Sequence, residues 1–353
     1  MKRRQFLPVL GLFLATILLT VSCTQSSDPN DGSSASSNSD ETIEFINSEP
    51  VKIGYSNWAG WWPWAIAEQE GLFEQNKVNV ELEWFDSYIA SMEALAAGQL
   101  DGNSQTLNDT ISFAADAVNG EVAVLVNDNS AGNDKIIVTA EINEVKDLVG
   151  KKVAVEEGVV DDFLLSLALE EEGLSRDDVE IVGMDTGDAA AAFVNGDVDA
   201  VGAFPPFWLI ALEREGSKEL ISSKEFPGAI PDLLVVTQTL VDEQPEVVQA
   251  LVNTWFDILT FMEENPEKSD EIMAERAGVD VSEMAILKKG TELFTIEQNL
   301  EAFSDGDSMK HMPFAAQQMA DFMVGVGFIP EAPPLEPILD DQFVQAYADG
   351  LTE

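Results

Sequence analysis

The sequence predicts an α/β fold of two lobes with a ligand cleft between them. From Val51 onward, short β-branched runs alternate with longer runs of helical spacing, which is typical of parallel sheets covered by helices. A second strand–helix series begins after Ala140, and one further strand and a long amphipathic helix follow it. We therefore predict that residues 46–140 and 230–353 form lobe 1, with residues 141–229 inserted as lobe 2.

The strands of both lobes are predicted from short runs rich in Val, Ile and Leu. In chain order these runs are VKIGY, VNVELEW, LDGNS, EVAVLV, KIIVTA, KKVAVE, VEIVGM, VDAVGAF and DLLVVTQ. The segments of helical spacing between them are WPWAIAEQEGLFEQ, YIASMEALAAGQ, TLNDTISFAADAVNG, VVDDFLLSLALEEEG and GDAAAAFVNGD. In open parallel sheets ligands bind beyond the carboxyl ends of the strands, so the loops after these strands are expected to face the cleft.

The first 23 residues have the pattern of an export signal. Basic residues precede an apolar run that is shorter than the about 20 residues of a membrane-spanning helix, and small residues lead to Cys23. The position of Cys23 directly after this run predicts lipid attachment, and a signal without a lipid is the alternative. Residues 24–45 are rich in Ser, Asn and Asp and are predicted to form a flexible tether.

Charge and composition exclude several classes of function. With 65 acidic and 18 basic residues the formal net charge is -47, so nucleic acid is not a predicted partner. One histidine, His311, and one cysteine, Cys23, exclude disulfides and catalysis by histidine or thiol. Phosphate-binding glycine motifs and metal-ligand spacings are absent from the sequence, so no cofactor and no metal are predicted. A glycosidase-like pair such as Glu156 and Asp185 is the remaining enzymatic alternative, and the α/β pattern does not favour it.

Several segments together resemble a known family. VKIGY, WPWAIAEQEGLFEQNKVNVELEWFDS, MEALAAGQLDGN, GNDKIIV, DLVGKKVAVEEGVVDDFLL and AAFVNGDVDAVGAFPPF are similar, in content and order, to substrate-binding proteins of nitrate/sulfonate/taurine-type ABC importers. The resemblance implies a two-lobed periplasmic-binding fold of type II that captures a small solute and delivers it to ABC permease and ATPase subunits. It also implies a monomer in the periplasm or at the cell surface, held at the membrane by its lipid.

One branch of this family looks most similar. The tryptophan-rich first loop and NSAGND resemble the members encoded beside urea and guanidine carboxylases, which implies guanidine or a related nitrogen compound as the solute. The pyrimidine-precursor synthases for thiamine form another branch, which relies on a histidine and a cysteine-rich segment that this sequence lacks. A two-lobed sensor that signals on capture is a further alternative, which the sequence leaves open.

The loops after the strands carry the predicted ligand-binding residues. Four tryptophans lie within SNWAGWWPWA, and we predict that Trp64 packs in the core while the other three line the cleft. The full predicted set is Trp58, Trp61, Trp62, Asp86, Gln105, Asp109, Asp134, Glu156, Asp161, Asp185 and Phe204. For the acids the alternative is structural, since Asp109 and Asp161 suit helix caps equally well and Glu156 suits a solvent-facing position.

Indole faces combined with carboxylates predict a cationic ligand. An aromatic face attracts a cation by ~0.5–2 kcal/mol, and a planar guanidinium can stack on a ring while its edge donates to a carboxylate. Quaternary ammonium ions such as choline or betaine are the nearest alternative. Nitrate-, sulfonate- or taurine-type anions are expected at a helix start, where the corresponding loop, EEGVVDD, carries four repelling carboxylates. We expect the lobes to close on the ligand, with tryptophans from lobe 1 and carboxylates from lobe 2.

Overall fold

The structure, a computed structural model, describes residues 44–351. The predicted export signal, Cys23 and nearly all of the predicted tether lie outside the described residues. Within residues 44–351 the chain forms two α/β lobes, each on its own sheet, as the sequence predicts. Every helix in this range is too short or too polar to cross a membrane.

The helices and strands follow the predicted alternation. The strands are β1 (Val51–Tyr55), β2 (Val80–Trp84), β3 (Gly102–Thr106), β4 (Val122–Ser130), β5 (Lys135–Val138), β6 (Lys152–Val155), β7 (Glu180–Gly183), β8 (Ala200–Ala203), β9 (Lys218–Ser222), β10 (Pro231–Val236) and β11 (Thr291–Leu293). The helices are α1 (Trp64–Glu70), α2 (Leu72–Gln75), α3 (Tyr88–Ala96), α4 (Leu107–Phe113), α5 (Val160–Glu171), α6 (Thr186–Asn195), α7 (Phe207–Ala211), α8 (Gln238–Glu243), α9 (Pro245–Glu264), α10 (Pro266–Ala277), α11 (Met284–Leu287), α12 (Ile296–Phe303), α13 (Met312–Val326) and α14 (Gln342–Gly350).

Both sheets are mixed, whereas the sequence pattern predicts parallel sheets. Lobe 1 has the order β11-β4-β10-β3-β1-β2, in which β1 is parallel to β2 and β3, and β10 is antiparallel to β3 and β4. Lobe 2 has the order β7-β6-β8-β5-β9, in which β5 is antiparallel to β8 and β9. β10 and β5 are the strands by which the chain enters each lobe after a crossing, and β11 is a further antiparallel strand at the edge of lobe 1. The antiparallel direction of β10 places its amino end at the same edge as the carboxyl end of β3.

The border between the lobes lies earlier than the predicted position at residue 140. β5 (Lys135–Val138) pairs with β8 and β9 and therefore belongs to lobe 2. The run KIIV is buried and apolar, so its pattern fits either sheet and does not indicate which strands it pairs with. β9 is half-exposed, and the sequence pattern does not predict a strand there.

The core of lobe 1 contains the fourth tryptophan of the first loop. α9 begins with Pro245, which suits a first helical position because no N–H is needed there. This helix places Trp255 against Trp64, with 5.0 Å between ring centroids. Trp64 also stacks on Phe73, and its Nε1 donates to Ser104 Oγ (3.1 Å). The prediction that Trp64 belongs to the core is confirmed.

The two lobes are connected by two chain crossings that lie side by side within the described residues. Residues 131–134 form the first crossing and residues 223–230 the second. Ser130 Oγ and Ser223 Oγ are hydrogen-bonded at 2.7 Å, and the Gly132 N–H donates to Ser223 Oγ (2.8 Å). These bonds tie the crossings together, so any rotation of one lobe against the other has a common pivot.

Candidate functional site

The candidate site is a pocket between the lobes at the carboxyl ends of β1 and β3. The empty space among its lining atoms is about 220 Å³, with the part open to solvent included. It is lined by Asn57, Trp58, Trp61, Tyr88, Thr106, Asp134, Val160, Phe204 and Asp232. Its size therefore suits a ligand of few non-hydrogen atoms.

Four aromatic rings form a continuous wall around this pocket. Ring centroids are 6.2 Å apart for Trp58 and Trp61, 5.3 Å for Trp61 and Tyr88, and 6.2 Å for Tyr88 and Phe204. All four side chains are buried. Phe204 lies in lobe 2 and the other three in lobe 1, so the wall is complete only when the lobes are together.

A buried carboxylate holds the loop that carries two of these rings. Trp58 Nε1 donates to Asp128 Oδ1 (2.9 Å), and the N–H groups of Trp61 and Trp62 both donate to the Trp58 carbonyl (3.0 and 3.1 Å). A Cβ at Gly60 would lie 1.8 Å from Asp128 Oδ2. Glycine at this position therefore permits the loop to approach Asp128, which in turn fixes the orientation of the Trp58 ring.

Three buried carboxylates, here named the pocket acids, lie at or directly beneath the pocket. They are Asp128 on β4, Asp134 on the first crossing and Asp232 on β10. Asp128 and Asp232 are partners across antiparallel strands, a geometry that places Cβ atoms about 4.5–5.5 Å apart. In all three, Oδ2 is buried without a hydrogen-bond partner in the protein. Such groups are unfavourable for folding and point to a role in function.

Burial shifts the proton affinity of the pocket acids. It raises the pKa of Asp134 to about 7. It also raises the pKa of Asp128, against the hydrogen bond from Trp58, and the pKa of Asp232, to which repulsion by Asp128 adds. Ionised carboxylates in this position are therefore disfavoured until a positive charge compensates them.

Tyr88 is fixed by a hydrogen-bond network behind the pocket. Its hydroxyl donates to Asp109 Oδ2 (2.8 Å) and accepts from the Thr106 N–H (3.0 Å). Asp109 also accepts from Thr106 Oγ1 (2.8 Å) and Asn108 Nδ2 (2.7 Å). Burial raises the pKa of Asp109 to about 7. Asp109 orients a pocket ring and does not itself line the pocket.

A second pocket of about 210 Å³ lies beside the first and shares Asn57, Tyr88 and Phe204 with it. Its other lining residues are Ser56, Asp86, Ser87, Glu156, Asp185, Thr186, Gly187 and Phe207. These residues come from both lobes, and several are small hydroxyl or carboxylate side chains.

Hydrogen bonds join the lobes at this second pocket. The Ile89 N–H, in the first turn of α3, donates to Glu156 Oε1 (3.0 Å), and Thr186 Oγ1 donates to Glu156 Oε2 (3.0 Å). Ser87 Oγ donates to Asp185 Oδ1 (3.3 Å). The positive end of α3 is thus already bonded to a carboxylate of the protein itself. Burial raises the pKa of Glu156, against these donors.

Two further buried acids, here named the cap acids, are Asp161 and Asp162 in the first turn of α5. Asp161 accepts from the N–H groups of Glu156 (3.0 Å) and Asp162 (3.1 Å). Asp162 accepts from the Gly158 N–H (2.9 Å) and from Arg176 through Nε (3.0 Å) and Nη2 (2.6 Å). Every carboxylate oxygen of the cap acids is therefore bonded within lobe 2. They cap the turn of residues 156–158 and not the helix itself, whose N-cap residue is Val159 without a side-chain hydrogen bond.

The predicted ligand-binding residues fall into three groups. The first pocket is lined by Trp58, Trp61, Asp134 and Phe204, and the second by Asp86, Glu156, Asp185 and Phe204. Neither pocket is lined by Trp62, Gln105, Asp109 or Asp161. Lobe 2 contributes only Val160 and Phe204 to the first pocket. The sequence predicts that carboxylates of lobe 2 complete the site, but none of them lines this pocket. They lie at the second pocket instead.

Trp62 and Gln105, two of the predicted residues that line neither pocket, lie inside lobe 1. Trp62 is wholly buried in the core of lobe 1. The loop folds into a helical turn on the Trp58 carbonyl, and successive side chains of such a turn point about 100° apart, so they cannot share one face. Gln105 donates to Thr110 Oγ1 (3.1 Å) and to Glu121 (2.9 Å) inside lobe 1.

Sequence reasoning missed several pocket residues, namely Asn57, Tyr88, Thr106, Val160 and Asp232. Asp232 matters most because its carboxyl group has an oxygen without a partner at the pocket. The prediction considered only the carboxyl ends of parallel strands, whereas β10 is antiparallel and presents its amino end to the cleft. An acid that opens the returning strand DLLVV is the signal that could have identified it.

None of the pocket acids forms an ion pair within the described residues, although the positive charge of Lys135 lowers the pKa of Asp134 against the larger effect of burial. The linings of both pockets contain no Lys, Arg or His. Lys135, next to Asp134 in sequence, pairs with Glu219. Within residues 44–351 no group of three or more acidic, histidine or cysteine side chains is placed to hold a metal ion. The first pocket is therefore acidic and aromatic, and it offers carboxyl oxygens and ring faces to an organic cation.

Comparison with known proteins establishes the family. The NMT1-like family matches residues 45–277, well over half of the chain. The chain belongs to the NMT1-like family. This NMT1-like protein is 28% identical over 303 residues to a protein of Brucella abortus (strain 2308) described as a binding protein, covering 84% of this chain and 91% of that one. It is 26% identical over 246 residues to the taurine-binding periplasmic protein of Escherichia coli (strain K12), covering 67% and 76% respectively.

A solved structure confirms the predicted fold. The alkanesulfonate-binding protein from Xanthomonas axonopodis pv. citri, bound to MOPS, superimposes with a TM-score of 0.69 at 19% identity, covering 84% of this chain and all of that one (100%). The NMT1-like protein therefore has the two-lobed periplasmic-binding fold. The relatives named here are described as binding proteins and not as enzymes.

Proposed function

We propose that this protein is the extracytoplasmic solute-binding component of an ABC importer and that its solute is a small nitrogen-containing cation such as guanidinium. Family, fold and binding-protein relatives support the first part. One observation carries the second: Asp134 and Asp232 have unpartnered carboxylate oxygens at a pocket walled by four aromatic rings. Guanidinium supplies N–H donors for those oxygens and a planar face for the rings.

The surroundings of the pocket strengthen each of these contacts. The aromatic wall excludes water, and a charge-assisted hydrogen bond is stronger in a poorly polarisable environment than in solvent. The space among the lining atoms is about 220 Å³ even with the part open to solvent included, so only a small ion can be accommodated. A cation also compensates the buried carboxylates, whose ionisation is otherwise disfavoured.

Anionic solutes are the second candidate, because relatives are described as taurine- and alkanesulfonate-binding. Two observations argue against anionic solutes in this chain. The N-terminal turn of α3, where a helix favours an anion, donates its Ile89 N–H to Glu156. The first pocket also contains no Lys, Arg or His, so an anion finds no positive charge there to compensate its own.

Quaternary ammonium ions such as choline or betaine suit the aromatic wall equally well. They have no N–H groups, however, so they would leave the carboxylate oxygens of Asp134 and Asp232 without hydrogen bonds. An unsatisfied buried acceptor costs about 1–3 kcal/mol, more if charged. The proposal therefore favours an ion that donates hydrogen bonds in a plane.

Lipid attachment at Cys23 and a tether of residues 24–45 complete the proposal for location. A lipid-anchored binding protein stays near its permease, which raises the local concentration of loaded protein. Radiolabelled palmitate supplied to bacteria that express the full chain should label it. Cys23→Ser should abolish the label and release the protein from the membrane fraction. A membrane-bound and unlabelled wild-type protein would contradict lipid attachment.

Isothermal titration calorimetry of the purified full-length chain against guanidinium, choline, betaine, taurine, nitrate and urea tests the ligand. Guanidinium is expected to bind tightest. Asp232→Asn should weaken guanidinium binding by about 10- to 150-fold, which corresponds to the about 1.5–3 kcal/mol of a charged hydrogen bond. The matched control is Asp177→Asn, an exposed acid of lobe 2 outside both pockets, which should bind as wild type. Tighter binding of taurine or nitrate overturns the cation assignment.

A further inference from the structure

Asp128 and Asp232 differ in their donors, although they face each other across β4 and β10. Asp128 receives a hydrogen bond at Oδ1 from Trp58 Nε1 (2.9 Å), which favours its ionised form. Oδ2 of each residue is buried and has no partner in the protein. Two ionised carboxylates in this geometry would repel each other, whereas one shared proton converts the repulsion into a hydrogen bond.

We propose that Asp128 and Asp232 form one proton-sharing unit, which holds a single proton in the unliganded protein and releases it when a cation binds. The inference rests on the proposed function for the positive charge of the ligand. In the exchange, the O–H bond of the Asp232 carboxyl breaks and the proton leaves to solvent. The N–H groups of the ligand then donate to the freed carboxylate. The total charge of the pocket is the same before and after binding.

Asp232 is the member of the pair that carries the proton. Trp58 donates to Asp128 Oδ1, and Asp232 lines the pocket where a ligand arrives. Repulsion from Asp128 and burial both raise the pKa of Asp232, in line with this assignment. Asp128 lines no pocket, so it acts as a positioning residue that holds the Trp58 ring and accepts the shared proton.

The charged groups around the pair favour a retained proton. Asp134 on the first crossing and Asp109 on α4 add negative charge, and both repel an ionised Asp232. The neighbours across β3 and β11 are Thr106 and Leu293, which are uncharged. The basic residue nearest in sequence, Lys135, is paired with Glu219 on lobe 2. A cation in the pocket is therefore the charge that would make a fully ionised pair favourable.

Calorimetry with guanidinium in phosphate and in Tris at one pH near 7 tests the exchange. The two buffers differ in ionisation enthalpy, so the difference in observed heat gives the number of protons released. Wild type should release at least one proton per bound ion, because Asp134, with a pKa of about 7, adds a fraction to the proton of the pair. Asp128→Asn should bind more weakly and release about one proton fewer than wild type. Wild-type binding without proton release overturns the exchange and leaves the proposed function standing, whereas absence of binding overturns both.

Carbon-13 NMR of the aspartate carboxyls in the unliganded full-length protein gives an independent test that needs no ligand. Wild type should contain a carboxyl that stays protonated above about pH 6 and that disappears in Asp232→Asn. Asp307→Asn, an exposed acid outside both pockets, should retain it. If the Asp232 carboxyl is ionised throughout this range in a folded protein, the proton-sharing unit does not exist.

Discussion

The pocket acids and the cap acids are both buried, yet they differ in what they bond to. In Asp161 and Asp162 every carboxylate oxygen accepts a hydrogen bond from backbone or from Arg176. In Asp128, Asp134 and Asp232 one oxygen each has no donor in the protein. Burial alone therefore does not identify a ligand-binding acid. The count of internal donors separates an acid that stabilises the fold from one that awaits a ligand.

The largest contrast is expected in the pH dependence of unfolding. Because burial raises the pKa of Asp134 from 3.8 to about 7, the folded protein keeps a proton there that the unfolded chain has released. This stabilisation is full below about pH 4 and is lost as the pH rises to about 7. It amounts to on the order of 4 kcal/mol, at about 1.4 kcal/mol per pKa unit. Urea unfolding of the unliganded protein between about pH 4 and about pH 8 should show a steeper loss in wild type than in Asp134→Asn. Equal slopes would contradict the raised pKa.

Removing the charge of a cap acid should lower the free energy of unfolding. Asp162→Asn takes away the closer and buried one of the two carboxylates paired with Arg176, the other being the exposed Glu157, and it weakens the turn at Gly158. We expect a loss of about 3 kcal/mol in the free energy of unfolding at neutral pH, as for a broken buried ion pair. Urea unfolding measures it. For Asp177→Asn nearby, the free energy of unfolding should stay within about 0.5 kcal/mol of wild type. An equally small effect for Asp162→Asn would mean that Asp162 does not stabilise the fold.

Removing a pocket acid should stabilise the unliganded protein while it weakens binding. Asp232→Asn eliminates a carboxylate that faces Asp128 and lacks a donor, so the unfolding free energy at about pH 8 should rise by about 2 kcal/mol. Differential scanning fluorimetry with and without guanidinium shows both effects. A variant that is both less stable and unable to bind would mean that Asp232 supports the fold, contrary to its assignment as a ligand acid.

The smallest effect is expected where the lobes touch. Glu156→Gln keeps an acceptor for the Ile89 N–H but loses the charge that favours the start of α3, so closure should weaken by about 1 kcal/mol. Small-angle X-ray scattering should report a larger mean radius of gyration without ligand. Glu157→Gln, whose side chain is 62% exposed, is the matched control. An unchanged radius for Glu156→Gln would mean that this contact does not hold the lobes together.

Local patterns predicted the lobes and the core more fully than the pocket. The residue pattern within a segment shows whether that segment is a strand or a helix. β1 and the burial of Trp64 therefore follow from the sequence. Strand direction and pairing depend on distant segments, which is why β5 was assigned to the wrong lobe and Asp232 was overlooked. Trp58 and Trp62 are chemically equivalent in the sequence, and only the turn between them decides which ring meets the cleft. Likewise Asp134 and Asp161 differ only in the donors that the folded chain brings to them.

The paired crossings at Ser130 and Ser223 have a consequence for the kinetics of binding. All charged groups of the first pocket lie on lobe 1 or on the first crossing, and lobe 2 adds only the apolar Val160 and Phe204. A solute would therefore meet its complete set of charges before the lobes close. Its association rate would depend on lobe 1 and on electrostatic attraction, and hence on ionic strength. Its residence time would depend on how often lobe 2 swings away about the pivot, so capture and retention would be set by different halves of the molecule.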